Sequence, residues 1–361
     1  MPPVLTIDLA VIESNARAVV GLCTAHGLRV TGVTKGVAGD PAVAAAMVRG
    51  GVAALGDSRL EHLERLRGAA LGVPLVLLRV PALSRAGAVV ELADVSLNSD
   101  LAVLAALSAD AVRRGRVHDV VVMVDLGDLR EGVWPDELHR FVRKAVTLDG
   151  IRVAGLGANL ACFGGVAPTA ENMRRFADLV DDVEQVTGHR LDVVSGGNSS
   201  ALTLIAAGAM PSRIDDIRIG EAILLGRETV ERRPWPGTRQ DAVELHGEII
   251  ELRRKPSAPV EPQGLDALGH HPSFEDHGIV DHALVDLGAV DADVGALTPL
   301  DPAHVVMGAS SDYLVLDVTA AGGSLRVGDQ VGFALGYAAL ATASTSPYVE
   351  VHTSHGVPRP D

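Results

Sequence analysis

Gly27-Leu28-Arg29-Val30-Thr31-Gly32-Val33-Thr34-Lys35-Gly36 decides how the rest of the chain is read. Its first part is short and rich in β-branched residues, the composition of a buried strand. Gly36 and Gly39 follow, then an alanine-rich helical run from Pro41 to Val48. Lys35 therefore stands where a strand ends and a turn begins. In a barrel of parallel strands that end is the rim where chemistry is done. A lysine behind an apolar strand is partly desolvated, which lowers its pKa and frees the amine to attack a carbonyl. The plainer reading of this stretch alone is a lysine with its ammonium in water; the rest of the chain argues otherwise.

Working outward, strand, turn and helix recur. Strands are expected at 29–34, 52–56, 74–80, 93–97, 119–125, 151–157, 191–195 and 214–219, with helices at 41–49, 58–68, 82–92, 100–114, 135–147, 170–187 and 200–208. Eight such units predict an α/β chain with a (β/α)8 barrel. A doubly wound sheet is the alternative, but no Gly-x-Gly-x-x-Gly opens a helix as a dinucleotide site would need. Ahead of the barrel, Leu5–Leu9 reads as a strand and Ala10–Ala25 as a helix. The texture changes after about residue 235. Arg253-Arg254-Lys255-Pro256 and the His-, Gly- and Pro-rich stretch 260–280 break helical periodicity. Short strands are expected at 282–287, 304–308, 313–318, 330–336 and 347–352. The barrel is thus assigned to 1–235 and a C-terminal all-β domain to 236–361, with residues 1–9 available as a strand of that second domain.

Composition agrees. Of 361 residues 47% are hydrophobic but only ten are aromatic, so the core must be built from Val, Leu, Ile and Ala, which suits parallel strands under alanine-rich helices. A formal net charge of −15, with no long basic run, argues against a nucleic-acid partner. Cys23 and Cys162 form no disulfide framework and have no metal-ligand spacing. The N-terminus lacks the basic and apolar regions of a secretory leader, and no charge-free stretch is long enough to cross a bilayer. The expectation is a soluble cytoplasmic protein with no membrane role.

Polar and glycine-rich clusters recur at the C-terminal ends of the predicted barrel strands. Asp125-Leu126-Gly127-Asp128-Leu129-Arg130-Glu131-Gly132 follows the fifth, and Asn159 the sixth. Ser195-Gly196-Gly197-Asn198-Ser199-Ser200 follows the seventh, and Arg218-Ile219-Gly220-Glu221-Ala222 ends the eighth. Small-residue turns that open helices present backbone N–H groups to an anion, and barrels often bind phosphate after strands seven and eight. Each cluster alone is equally a tight turn; a lysine, arginines and two phosphate-type turns on one rim are harder to dismiss.

With these residues the chain resembles the pyridoxal-phosphate enzymes of the alanine racemase type, and within them the ornithine/alanine racemase branch. The resemblance runs over nearly the whole chain, including Gly308-Ala309-Ser310-Ser311-Asp312 and Thr345-Ser346-Pro347-Tyr348. It implies a racemase acting through a Schiff base and an α-carbanion. Lys35 would carry the pyridoxal 5'-phosphate. With Asn198 beside it, Ser199 and the backbone at Gly220 and Ala222 would hold the phosphate, and Tyr348 would be a looser phosphate contact. Arg218 would face the pyridine nitrogen, Arg130 would lie near the phenolic oxygen and the substrate carboxylate, and Asn159 would replace the family's histidine beside the ring. An arginine at the ring nitrogen stays protonated and cannot stabilise a pyridinium, which favours racemisation over transamination.

The chain departs from the family in several places. Ala267-Leu268-Gly269-His270-His271 stands where alanine racemases carry the second acid/base tyrosine, Gly39 stands where they have another tyrosine, and Met123 replaces a lysine. Candidate substrates are ornithine, alanine and other small or basic amino acids, with alanine disfavoured by these changes. Asp312 is taken as the second catalytic group, with Ser311, His270 and His271 as alternatives. The resemblance also implies a homodimer with shared sites, Lys35 of one chain meeting Asp312 of the other. Two further readings are a D-amino-acid aldolase or dehydratase of the same fold, which usually carries a His/Cys metal site, and a non-catalytic pyridoxal-phosphate carrier. No cysteine follows Cys162 and the β extension is long, so neither is preferred, and no metal site is assigned.

Overall fold

The computed structural model describes residues 2–261, 263–266, 269 and 271–355. The chain forms two compact units, Val11–Lys35 with Gly39–Gln240, and Met1–Ala10 with Gly36–Ala38 and Asp241–Asp361. The division falls five residues beyond the expected 235.

Strand β1 (Val4–Asp8) leads into helix α1 (Leu9–Ala25). The larger unit is a closed barrel of eight parallel strands: β2 (Arg29–Val33), β3 (Ala54–Asp57), β4 (Leu75–Leu77), β5 (Val95–Asn98), β6 (His118–Val124), β7 (Ile151–Ala158), β8 (Val193–Ser195) and β9 (Asp216–Ile219). β9 returns to pair in parallel with β2, from Arg29↔Asp216 to Gly32↔Ile219. Helices α2 (Pro41–Arg49), α3 (Leu60–Gly68), α4 (Ala86–Leu92), α5 (Leu101–Arg113), α6 (Pro135–Ala145) and α7 (Ala170–Thr187) follow successive strands, and the short α8 (Leu202–Ala206) and α9 (Glu221–Leu224) follow the last two. The predicted 200–208 helix shortens to α8 because its first turn, Ser199–Ala201, is a 3-10 turn closed by Asn198.

Local chemistry explains these elements. Asp40 caps α2 by accepting from the Ala42 and Val43 amides, Asp100 caps α5 likewise, and Thr169 with Asn172 closes a reciprocal capping box on α7. Leu97, Val121 and Met123 form a buried cluster in the barrel, with Val76, Leu78, Val95 and Val193 against them. Asn15, fully buried on α1, ties the end of this unit together. Its amide donates to the Ile223 and Arg239 carbonyls (3.1 and 2.8 Å), and its carbonyl accepts from the Arg239 amide (2.8 Å).

The smaller unit is antiparallel apart from one pair. Strands β10 (Val243–Pro256), β11 (Ile279–Val285), β12 (Leu297–Pro299), β13 (Val305–Ala309), β14 (Leu314–Asp317) and β15 (Gln330–Leu335) run in the order β12-β15-β10-β11-β14-β13, and helix α10 (Tyr337–Ala343) precedes β16 (Glu350–Ser354). β1 joins this sheet, antiparallel to β10 and parallel to β16. The long central strand β10 was not among the predicted strands. Its Val-Glu-Leu-His-Gly-Glu-Ile start alternates buried and half-buried positions, a two-residue period masked by the charged run that ends it.

Within the barrel, His118 is almost wholly buried and bonds through Nε2 to Ser96 Oγ at 2.8 Å. Burial pushes its imidazole from 6.5 down to about 4, so the folded chain keeps it neutral. As pH falls from 6.5 toward 4 the unfolded chain takes up a proton that the fold refuses, and stability drops; above 6.5 both states are neutral and the effect vanishes. At 1.36 kcal/mol per pKa unit the loss is at most about 3 kcal/mol. We predict that His118→Asn flattens the fall in unfolding free energy between pH 6.5 and 4, as measured by urea titration.

Candidate active site

Lys35 opens a 3-10 turn, Lys35–Val37, straight after β2. Its side chain reaches solvent. Desolvation is the largest influence on it and pulls its ammonium below the usual lysine range. The nearby Arg130 charge acts in the same direction, while the Cys162 sulfur and the Asp57 and Glu131 carboxylates act against it. Thr34, just before Lys35, is pinned by its hydroxyl to the fully buried Asp57 at 2.7 Å. The other oxygen of Asp57 accepts from the Arg59 amide and holds His62 Nδ1 at 2.8 Å. His62 also accounts for Gly39. A Cβ at Gly39 would lie 2.6 Å from the His62 Cβ, and its φ of +66° favours glycine, so no tyrosine fits there.

Arg218 is the most deeply held cation of the rim. It donates to Ser195 Oγ at 2.5 Å and to the Ala158 carbonyl at 2.7 Å. Ser195 passes its own proton toward Asp216 (2.5 Å), whose second oxygen accepts from Thr31 Oγ1 at 2.9 Å. Burial raises Asp216 and lowers Arg218, and each offsets the other's desolvation. Arginine starts so high that it keeps its charge here.

The loops after β6 and β7 are stitched together. Asp125 accepts from the Gly127 and Leu129 amides. The buried Asp128 accepts from the amides of Cys162, Phe163 and Val166 at 3.1 to 3.4 Å, and its carbonyl accepts from Gly164. Gly132 has φ +150°, and a Cβ there would stand 2.3 Å from the Asp125 amide nitrogen. Arg130 pairs with Glu131 and donates from Nη1 to Cys162 Sγ at 2.9 Å. Met123 is buried in the barrel, where its sulfur fills the space that a side chain at Gly157 would need.

At the two phosphate-type turns, Ser199 Oγ accepts from the Ala222 amide at 3.3 Å. Asn198 accepts from the Ser200 amide and donates to the Leu160 carbonyl and to Asn159 Oδ1. Among the buried polar atoms without a hydrogen-bond partner are Asn159 Nδ2 and Ser200 Oγ. A buried donor without a partner is costly, and here both lie beside N–H groups that suit an anion. This donor set, together with an amine of lowered pKa, fits an aldehyde cofactor that carries a phosphate.

The family model for the alanine racemase N-terminal domain matches residues 7–228. The chain belongs to that family. It is 38% identical over 351 residues to the ornithine racemase of Acetoanaerobium sticklandii, covering 97% of this chain and 99% of that protein. It is 37% identical over 348 residues to the lysine racemase of Thermotoga maritima, covering 96% and 97%. Among solved structures it resembles the alanine racemase of Streptomyces coelicolor A3(2) (TM-score 0.75, 21% identity, 98% of each chain). It also resembles the alanine racemase of Bartonella henselae with covalently bound pyridoxal phosphate (TM-score 0.72, 15% identity, 98% and 100% of the chains). The fold is therefore that of the racemases, a barrel with a C-terminal β domain, and the cofactor is pyridoxal phosphate.

The barrel unit brings Lys35, Arg130, Asn159, Asn198, Ser199, Arg218, Gly220 and Ala222 to strand ends of one rim. Asp312 and Tyr348 lie in the β unit. Asp312 is an exposed turn residue accepting from Ser311 Oγ at 2.5 Å, and Tyr348 is exposed, its amide bonded to Ser346 Oγ. His271 is exposed; His270 lies outside the described residues. Sequence reasoning missed the roles of Asp57, His62, Asp128, Cys162 and Asp216. Asp57 and Asp216 stand in barrel strands, and Cys162 three places after Asn159, so strand register carried a signal for each. We predict that Asp128→Ala, which leaves three amides without their acceptor, lowers the unfolding free energy by about 2–4 kcal/mol and exposes the 160–166 loop to limited proteolysis.

Proposed function

We propose that this protein is a pyridoxal-phosphate-dependent racemase of basic amino acids, ornithine or lysine. One observation carries the reaction type. Arg218, a buried cation in β9, has both terminal nitrogens engaged and its charge balanced by Asp216, so it can give hydrogen bonds but cannot exchange protons. The substrate class is supported by the ornithine and lysine racemase relatives, which match the chain almost end to end.

When bound, pyridoxal phosphate supplies an electron-withdrawing conjugated system that acidifies the substrate's α-hydrogen. Lys35 would hold the cofactor and afterwards serve as base; desolvation lowers its pKa and so favours the free amine that would take a proton from the α-carbon. Arg218 would donate to the pyridine nitrogen without protonating it. The electron sink is thereby kept weak, and protons return to the α-carbon. Ser199, Ser200 and the Ala222 amide would hold the phosphate, Asn159 Nδ2 would donate beside the ring, and Arg130 would orient the substrate carboxylate. Two copies per molecule is the assembly that the family resemblance supports.

A chiral assay of the loaded enzyme across the common amino acids tests the substrate class: D-product is expected from L-ornithine or L-lysine at rates at least tenfold above L-alanine. No D-product from either basic amino acid would reject it. Lys35→Ala should abolish racemisation and also the borohydride-trapped cofactor adduct; a variant that still traps cofactor would place the Schiff base elsewhere. Arg218→Glu is best made with Asp216→Asn, so that two carboxylates are not buried together. The double variant should lower racemisation and raise formation of the keto acid, seen with pyridoxamine phosphate in the absorbance spectrum.

A further inference from the structure

Inverting a stereocentre calls for a proton acceptor on one face of the α-carbon and a donor on the other. Lys35 accounts for one face. Gly39 and the 267–271 stretch bring no tyrosine, and Asp312 belongs to the β unit. The barrel rim itself carries an ionisable group with no task yet, the thiol of Cys162.

Its placement is not casual. Cys162 sits three residues after Asn159, in the loop after β7, while Lys35 follows β2, so three strand steps around the eight-stranded barrel separate the strands that carry them. The loop is held from below. Asp128 receives the Cys162 amide, and Ala161 just before it takes a left-handed φ of +49°, its amide bonded to the Val166 carbonyl. The sulfur accepts from Arg130 Nη1 at 2.9 Å and is open to solvent. Cys162 lies near enough to Lys35 to influence its charge, as do Arg130, Asp57 and Glu131. In the same loop, Asn159 Nδ2 is buried without a partner.

We infer that Cys162 is the second proton-transfer group of the racemase, delivering a proton to the α-carbon from the face opposite Lys35. The inference rests on the racemase reading. From one enantiomer the α C–H bond breaks, its proton going to the Lys35 amine and its electron pair staying with the substrate. A new C–H bond then forms with the thiol proton, leaving a thiolate beside the Arg130 guanidinium, which stabilises it. In the reverse direction the two groups exchange roles, and a proton passed from the Lys35 ammonium to the thiolate restores both. Arg130 is thereby a positioning residue for the sulfur as well as a binding group.

The test uses wild type, Cys162→Ser and Cys162→Ala loaded with pyridoxal phosphate in D2O, each given L- and D-ornithine in turn. Inversion is followed by chiral chromatography and α-hydrogen loss by proton NMR. Inversion should fall about a hundredfold or more. The enantiomer whose α-hydrogen faces Lys35 should still exchange within about tenfold of wild type, while exchange of the other stops. Inversion within tenfold of wild type would overturn the inference. So would equal loss of both exchanges, which would make the thiol a structural support, and so would the same one-sided loss in Asp312→Ala. A readout independent of turnover is alkylation by iodoacetamide. Cys23 is buried and should not react, whereas Cys162 should label in cofactor-free protein and be protected at least tenfold by pyridoxal phosphate. Unchanged labelling would also overturn it. Failure of the racemase reading looks different: wild type would neither invert nor exchange either enantiomer of ornithine or lysine, and both proposals would fall together.

Discussion

A guanidinium buried in the mouth of a barrel must be answered from several sides, and the structure depends on how Arg218 is answered. Its partners come from strands that are far apart in sequence. Ala158 ends β7, Ser195 ends β8, Asp216 begins β9, and Thr31 of β2 secures Asp216. β8 and β9 share only one register pair, Ser195↔Asp216. The side-chain relay thus crosses the barrel wall where the backbone ladder is thinnest. Removing one member would leave a buried charge without its counterpart, among the costlier changes a fold can suffer. The same charge that closes the wall sets the electronic character of the site.

Around that fixed point the rim is assembled from loops held by carboxylates that are themselves shielded. Asp57 steadies the residue before Lys35 and orients His62 over Gly39. Asp128 binds the loop that carries Arg130 to the loop that carries Cys162. Both carboxylates are buried, and each fixes backbone close to a residue of the rim. Such supporting contacts keep catalytic geometry within tolerance.

The barrel was legible because its signals are local: apolar strands, helix caps and small-residue turns recur with one period. Lys35, Arg130, Asn159, Ser199 and Arg218 were legible because each stands just past or at the end of such a strand. What escaped was of two kinds. β10 hid because its alternating half runs into Arg253-Arg254-Lys255, so charge obscured a two-residue period. Asp57, Asp128 and Asp216 hid because a carboxylate within or after a strand reads as surface polarity, and only the closed barrel shows which amide or hydroxyl it meets. Cys162 hid for a related reason, since its meaning lies in a contact with Arg130, thirty-two residues away.

The β unit is finished by residues from opposite ends of the chain. β1 lies between β10 and β16, pairing with residues 243–246 on one side and 350–354 on the other. β1, early in the chain, therefore completes its pairing only once residues 350–354 are in place. The barrel, whose strands all fall between 29 and 219, can close while that strand waits. Chains cut short before residue 350 would carry a finished barrel and an N-terminal strand with one bare edge, a template for pairing with another chain.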